Sequence, residues 1–250
     1  MKEPLTDWVA VVTGASSGIG AAIATAFAQE GARVVLAARR ADKLASVKAK
    51  IEAGGGHAIV VDCDVSREDD IVALFAEVQR AYGRVDVLVN NAGRSGHMAI
   101  DEASLAYWND VLAVNITAAF LCSREAIKIM KAQHPQGGRI INIGSVSAKT
   151  PRPDSPAYTT TKYAMHGLTH ALTHDGRKYG VVASVIHPGN TFTGFSTRPG
   201  PGAGATPADY IMDSADIARI AVLMATLPPE VNLFEATVLP NNMTSFIGRG

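Results

Sequence analysis

Short runs of β-branched and aliphatic residues alternate along the chain with longer stretches in which apolar residues return every three or four positions. The runs are Trp8–Thr13, Arg33–Ala37, His57–Val61, Val85–Asn90, Arg139–Gly144, Val181–His187 and Leu233–Leu239. Within them Val, Ile, Leu and Ala follow one another with little polar interruption, which suits strands buried on both faces of a parallel sheet. Between the runs the period changes. Ile19, Ala22, Ile23, Ala26 and Phe27 form one helix stripe. Ile71, Leu74, Phe75 and Val78 form another, with Ser66 and Asp69 ahead of it in the spacing of a capping box. This alternation predicts a doubly wound α/β sandwich of about seven mostly parallel strands with helices on both faces. No repeat or long linker divides it, so residues 1–250 are expected to form a single dinucleotide-binding and catalytic domain.

One stretch departs from the rhythm. Phe195–Pro207 contains Pro199, Gly200, Pro201, Gly202 and Gly204 and follows a strand's carboxyl end, where sheets of this kind bind ligands. A substrate lid within residues 195–213 is the expectation.

Composition narrows the class. Apolar residues make up 47% of the 250 and charged residues 18%, the balance of a globular enzyme rather than a disordered chain. The 23 basic residues are matched by 23 acidic ones, so no global field favours nucleic acid or an anionic membrane. Cys63 and Cys122 fit neither a metal-ligand spacing nor a disulfide framework and read as buried thiols. The start, Met1–Asp7, is charged, and the apolar stretch Trp8–Val12 is too short for a signal-peptide core. No apolar run approaches the roughly 20 residues that cross a bilayer. A cytoplasmic location without nucleic-acid or membrane partners is expected.

The first strand runs into Thr13-Gly14-Ala15-Ser16-Ser17-Gly18-Ile19-Gly20, and a helix follows. Glycines permit a tight turn and close backbone approach, while the helix N-terminus offers free N–H groups and the positive end of its dipole. A pyrophosphate fits such a turn, although a glycine-rich turn alone is a weak signal and its spacing differs from G-x-G-x-x-G. An NAD site usually places an acidic residue at the end of the second strand. Here that position reads Ala37-Ala38-Arg39-Arg40, without a carboxylate to repel a 2′-phosphate and with Arg39 offering a planar fork to bind one. This favours NADP(H) over NAD(H). Asp64 and Val65, past the third strand, could bound an adenine ring. Asn90-Asn91-Ala92-Gly93 closes the fourth strand with backbone able to lie along a ribose.

At the end of the fifth run stands Gly144-Ser145; Tyr158 and Lys162 follow. Ser155-Pro156 reads as an N-cap and first helical residue, which puts Tyr158 in the first turn and Lys162 one turn on, along the same face. A phenol is too weak a base at neutral pH, but a lysine cation one turn away favours the phenolate, and so does the helix N-terminus. Such a tyrosine can give a proton to a carbonyl oxygen or take one from an alcohol. The hydroxyl of Ser145 could bond the same substrate oxygen.

Together these residues resemble the short-chain dehydrogenase/reductase superfamily over essentially the whole chain. Thr13–Gly20 matches its T-G-x-x-x-G-x-G turn, Asn90–Gly93 its N-N-A-G, and Tyr158–Lys162 its Y-x-x-x-K. The spacing from Ser145 to Tyr158 is the family's usual one. The resemblance implies a seven-stranded Rossmann sheet and hydride exchange between a nicotinamide cofactor and a carbonyl or alcohol. It implies that Asn115 holds a water on the catalytic lysine's proton relay and that Lys162 also binds the nicotinamide ribose. Pro188-Gly189 with Thr191 and Thr193 looks like the segment that binds the carboxamide. Gly144 stands where a second serine is frequent, a change expected to matter little. Ser17 stands where some NADP-preferring members carry a basic residue, leaving Arg39 to act with help from Arg40. The segment Phe234–Pro240 is similar to NADP-preferring members that act on hydroxy acids and related small alcohols. The family also implies a homo-oligomer, tetramer or dimer, built on long central helices near Val111–Gln133 and Pro156–Tyr179.

Arg94, Ser95, His97, Lys149, Arg152 and Asp154 make the expected substrate segments polar, so Lys149 or Arg152 could attract an anionic substrate, unless both are rim charges. His97 and His187 read as ordinary residues. Two rival functions stand beside the main one: an NAD(H)-dependent dehydrogenase of the same fold, and a non-catalytic scaffold that senses NADP(H). Cofactor titration separates the first, and a pure sensor has no use for Asn115, Ser145, Tyr158 and Lys162 together.

Overall fold

The structure, a computed structural model, describes residues 4–193, 211–241, 243 and 246. Its strands are β1 (Val9–Thr13), β2 (Arg33–Ala38), β3 (His57–Asp62), β4 (Val87–Asn90), β5 (Gly138–Ile143), β6 (Val181–Pro188) and β7 (Glu235–Val238). They pair in the order β3-β2-β1-β4-β5-β6-β7, every pair parallel. Each expected run is thus a strand, with its ends shifted by no more than two residues. The helices are α1 (Gly18–Gln29), α2 (Ala41–Ala53), α3 (Glu68–Tyr82), α4 (Leu105–Leu112), α5 (Ala118–Ala132), α6 (Pro156–Gly176) and α7 (Ser214–Thr226). Most of the expected lid falls on residues outside the described ones.

The continuous hydrophobicity of the strands has its reason in two cores. In β1, Ala10 and Val12 pack with Ile23 and Phe27 of α1 and Ile217 of α7. Val9 and Val11 point the other way, to Leu74 of α3 and Leu121 and Cys122 of α5. Phe27 is fully buried, so its truncation to Ala should cost about 3–5 kcal/mol of stability. Strand order reverses between β1 and β4, whose carboxyl ends therefore bound a crevice.

Three local expectations are corrected. Ser66 does not cap α3, which begins at Glu68 behind Arg67. The Ser66 hydroxyl and N–H both donate to Asp64 Oδ1, at 2.7 and 3.0 Å, a charge-assisted pair of bonds that turns the side chain toward the carboxylate. Asp70, not Asp69, reaches back to accept the Asp64 N–H. At α6, Pro156 does open the helix, but the Ser155 hydroxyl donates to Arg152 O at 2.7 Å instead of capping it. Lastly, α4 and α5 join through a five-residue π-turn, Ala113–Thr117. The resulting run, Leu105–Ala132, is long and apolar enough by length and composition to cross a membrane. Here it packs against β4, β5, α3 and α6 and turns Asp110, Lys128 and Lys131 outward.

Candidate active site

Motifs far apart in sequence meet at the carboxyl ends of β1 and β4. Gly14 and Gly18 adopt φ of +64° and +55°. A Cβ on Gly14 would lie 2.9 Å from Ala92 Cα, and one on Gly18 would lie 2.8 Å from Thr193 O. Gly20 has no more room: its Cβ would come within 2.5 Å of Gly14 O. Asn91 ties the pieces together. Its Nδ2 donates to the carbonyls of Thr13 and Gly14 at 2.9 and 3.2 Å, while the Thr13 hydroxyl accepts the N–H groups of Asn91 and Ala92. Sequence reading passed over Asn91 in favour of its neighbour. Asn90 is buried and points inward, its Nδ2 donating to Asn142 Oδ1 at 2.8 Å and Ser123 Oγ at 3.0 Å. Its side chain therefore braces β4 against β5 and α5, and only its backbone faces the crevice side.

Ser17 sits at the N-cap of α1 with its hydroxyl uncommitted to the helix, and the first turn carries no acidic residue. Arg40 donates to the hydroxyls of Ser16 and Ser17, both at 2.9 Å. Arg39 pairs with Asp64 at 3.6 Å with its side chain 72% exposed. Burial pushes the Asp64 carboxyl up, but bonds from Ser66 and the charge of Arg39 outweigh it and hold the group below the usual carboxylate range. Val65 is buried in the core behind this pair. The turn thus presents a positively charged, donor-rich cradle that fits a dinucleotide's phosphates.

At the other end, Lys162 is buried and donates to Ile143 O at 2.9 Å, and its Nζ lies 5.5 Å from the centre of the Tyr158 ring. Asn115, on the π-turn, is equally buried. Its Oδ1 accepts the Arg94 N–H at 2.8 Å, and its Nδ2 donates to Arg94 O and to Thr161 Oγ1, at 3.0 and 3.1 Å. Thr161 donates in turn to Tyr158 O at 2.7 Å. Gly93 lies between them: a Cβ there would stand 3.4 Å from Asn115 Oδ1 and 4.0 Å from Lys162 Nζ. A π-turn inside a helix is often found at such sites.

Ser145, just past β5, accepts the Ser147 N–H on its Oγ at 3.1 Å. It shares a cavity of about 420 Å³ with Tyr158, His97, Arg152, Pro188, Gly189, Thr191 and Thr193. The segment after β6 is fixed by Gly189 N–H to Val238 O and by a bridge from Thr191 to Met212. Arg152 donates to Asn190 Oδ1 at 2.8 Å at the rim. Lys149 does not join this wall. It pairs instead with the carboxylate of Glu235 on β7. Of the two alternatives for Lys149, this arrangement fits the rim charge.

Gly144 and His187 pack against each other. A Cβ at Gly144 would lie 2.5 Å from His187 Nδ1, so the glycine is the space into which a buried imidazole packs. Among the described residues, no cluster of three or more metal-ligating side chains occurs. Cys63 and Cys122 are buried and unpaired, as expected; burial, with Asp70, Asp64 and Asp62 nearby, pushes the Cys63 thiol up to about 12.

The family model for short chain dehydrogenases matches residues 8–201. The chain belongs to this family, whose members are oxidoreductases that act on alcohol and carbonyl groups with nicotinamide cofactors. It is 40% identical over 191 residues to a 3beta-hydroxysteroid dehydrogenase of Mediterraneibacter gnavus, covering 76% of this chain and 68% of that one. It is 34% identical over 254 residues to dehydrogenase/reductase SDR family member 11 of Gallus gallus, covering 97% of this chain and 100% of the other. Among solved structures, a metagenomic short-chain oxidoreductase in complex with NADP is 38% identical, with a TM-score of 0.82 over 95% of this chain and 99% of that one.

Proposed function

We propose that this protein interconverts a carbonyl compound and a secondary alcohol with NADP(H), using Tyr158 as general acid/base. The observation that carries the reading is one crevice with two chemically distinct ends. Ser145 and Tyr158 line a cavity at one end with Lys162 one helical turn behind Tyr158, and at the other a glycine turn whose serines bond Arg40 follows β1, with no carboxylate closing β2.

In this reading Gly14, Ser16, Ser17, Gly18, Ile19 and Gly20 surround the pyrophosphate, and Arg39 and Arg40 take the 2′-phosphate. Asp64 and Val65 bound the adenine end. The Asn90 backbone, Ala92, Gly93, Tyr158 and Lys162 line the nicotinamide ribose, with Pro188, Gly189, Thr191 and Thr193 about the carboxamide. The similar structure that holds NADP supports this choice over NAD. Bound there, the cofactor supplies or accepts the hydride.

The rest of the chemistry lies with the chain's own side chains. Tyr158 gives its phenolic proton to the substrate oxygen, or takes one back in the oxidative direction. The Lys162 cation stabilises the phenolate left behind. Because Ser145 Oγ already accepts from Ser147 N–H, its own proton is free to donate to the substrate oxygen as negative charge develops. Asn115 holds the Gly93–Arg94 strand end against Lys162, as befits a proton relay. The cavity wall is polar, with Arg152 at its rim, which favours a polar or anionic substrate over a wholly apolar one. Phe120 on α5 and Tyr163 on α6 are 50% and 48% exposed, which supports assembly of copies through these helices.

Consumption of NADPH in the presence of acidic, neutral polar and steroid-type ketones tests the reading, with Tyr158→Phe as control. Turnover that the variant lowers by about 100-fold or more is expected. Equal turnover by Tyr158→Phe would overturn the role of that residue, and no turnover with any ketone would overturn the reading and revive the sensing scaffold.

A further inference from the structure

His187 closes β6 at a point where a side chain has no evident task, yet it is 1% exposed and set against the backbone of Ser145. Its Nδ1 lies 3.3 Å from Ser145 N and 3.0 Å from Ser145 O. One nitrogen cannot serve both groups at once. Unprotonated, Nδ1 accepts the serine N–H; protonated, it donates to the serine carbonyl. Among the described residues, its Nε2 has no hydrogen-bond partner and stands 3.7 Å from Glu235 Oε1. Glu235 is held from two more sides, by Lys149 and by His166 Nε2 at 2.9 Å.

A buried imidazole with one idle nitrogen is costly to keep for packing alone, because an apolar side chain would fill the space without desolvating a polar atom. Gly144 supports the same point. Any Cβ there would collide with the ring, at 2.5 Å from Nδ1 and 2.8 Å from Cε1, so the residue beside the serine is shaped to admit it. The Ser145 hydroxyl is positioned by its own backbone and by Ser147 N–H, and the backbone is what the ring grips.

We propose that His187 is a positioning residue for the catalytic serine: its Nδ1 fixes the Ser145 backbone, while Glu235, itself held by Lys149 and His166, stands 3.7 Å from the ring's other nitrogen. The proposal rests on the reading of Ser145 as a donor to the substrate oxygen. A grip of this kind leaves cofactor and substrate binding largely intact and acts on the chemical step, where a hydroxyl displaced by a fraction of an ångström loses most of its value.

A double-mutant cycle on kcat tests it, using wild type, His187→Ala, Ser145→Ala and the double variant with NADPH and one ketone substrate. His187→Ala is expected to lower kcat by about 10-fold or more while the KM for NADPH stays within about 2-fold. In the Ser145→Ala background the same change is expected to have almost no further effect, since its target is gone. His187→Asn, whose amide can occupy the place of Nδ1, is expected to recover most of kcat. Equal fold-losses in both backgrounds, or a fully active His187→Ala, would overturn the proposal while leaving the function intact. A fully active Ser145→Ala would instead remove the role of the serine itself.

Discussion

The Nζ of Lys162 lies 5.5 Å from the centre of the Tyr158 ring while it donates to Ile143 O at 2.9 Å. The lysine is thus fixed by the main chain at the end of β5, and its charge reaches the phenol across one helical turn. Lys162→Ala should lower kcat by about 100-fold or more. Steady-state kinetics of the variant with NADPH and a ketone check this; a kcat within a few-fold of wild type would contradict the account.

Arg40 touches both serines of the phosphate turn, and Arg39 stands beside Asp64. Either arginine changed to Ala should weaken NADPH binding by about 10–30-fold, the loss of one charge-assisted contact. NADH binding should barely move. Fluorescence titration with the two cofactors distinguishes this from a general disturbance of the turn, which would weaken both alike.

Gly144→Ala puts a methyl group where His187 Nδ1 now lies. The buried ring cannot swing into solvent, so the serine segment has to shift. The expected result is a kcat lowered by about 10-fold with little change in the dissociation constant for NADPH. Unaltered turnover would show that the ring and the serine move independently.

Burial lowers the affinity of His187 for a proton below the ordinary value of 6.5; contact with the Ser145 backbone and Glu235 opposes this, while Lys149 and His166 reinforce it. The unfolded chain then binds the extra proton first as pH falls. The stability due to the neutral ring is complete above pH 6.5 and is lost below it, down through the folded-state value. Glu235 behaves in its own range. Burial raises its carboxyl, but Lys149, His166 and His187 outweigh this and hold it below 4.5. Denaturant unfolding of wild type and His187→Asn should therefore diverge between pH 6.5 and the carboxylate range, with only the wild type losing stability there. Parallel curves would contradict the assignment.

Much of this was legible in the sequence because strands buried on both faces leave continuous apolar runs, and every such run became a strand. Gly14, Gly18 and Gly20 were legible too, since positive φ and close backbone approach leave few alternatives to glycine. What could not be read was partner choice across the sheet. Asn90 and Asn91 are adjacent, but the alternation of strand side chains sends one into the core and the other onto the glycine turn. The local signals at Ser66 and Ser155 misled because each hydroxyl is turned to donate to a neighbouring oxygen, Asp64 Oδ1 or Arg152 O, and its own oxygen does not meet the N–H groups of the helix. Lys149 was drawn to β7 by Glu235, 86 positions away, and the complement of Gly144 and His187 spans two strands. Neither pairing leaves a mark in local spacing.

The most direct test of the central claim is mass spectrometry of the alcohol formed from a ketone and NADPH carrying deuterium at its hydride position. The account predicts one deuterium on the new carbinol carbon with wild type and almost no product with Tyr158→Phe. Product without deuterium, or labelled product formed equally well by Tyr158→Phe, would contradict it.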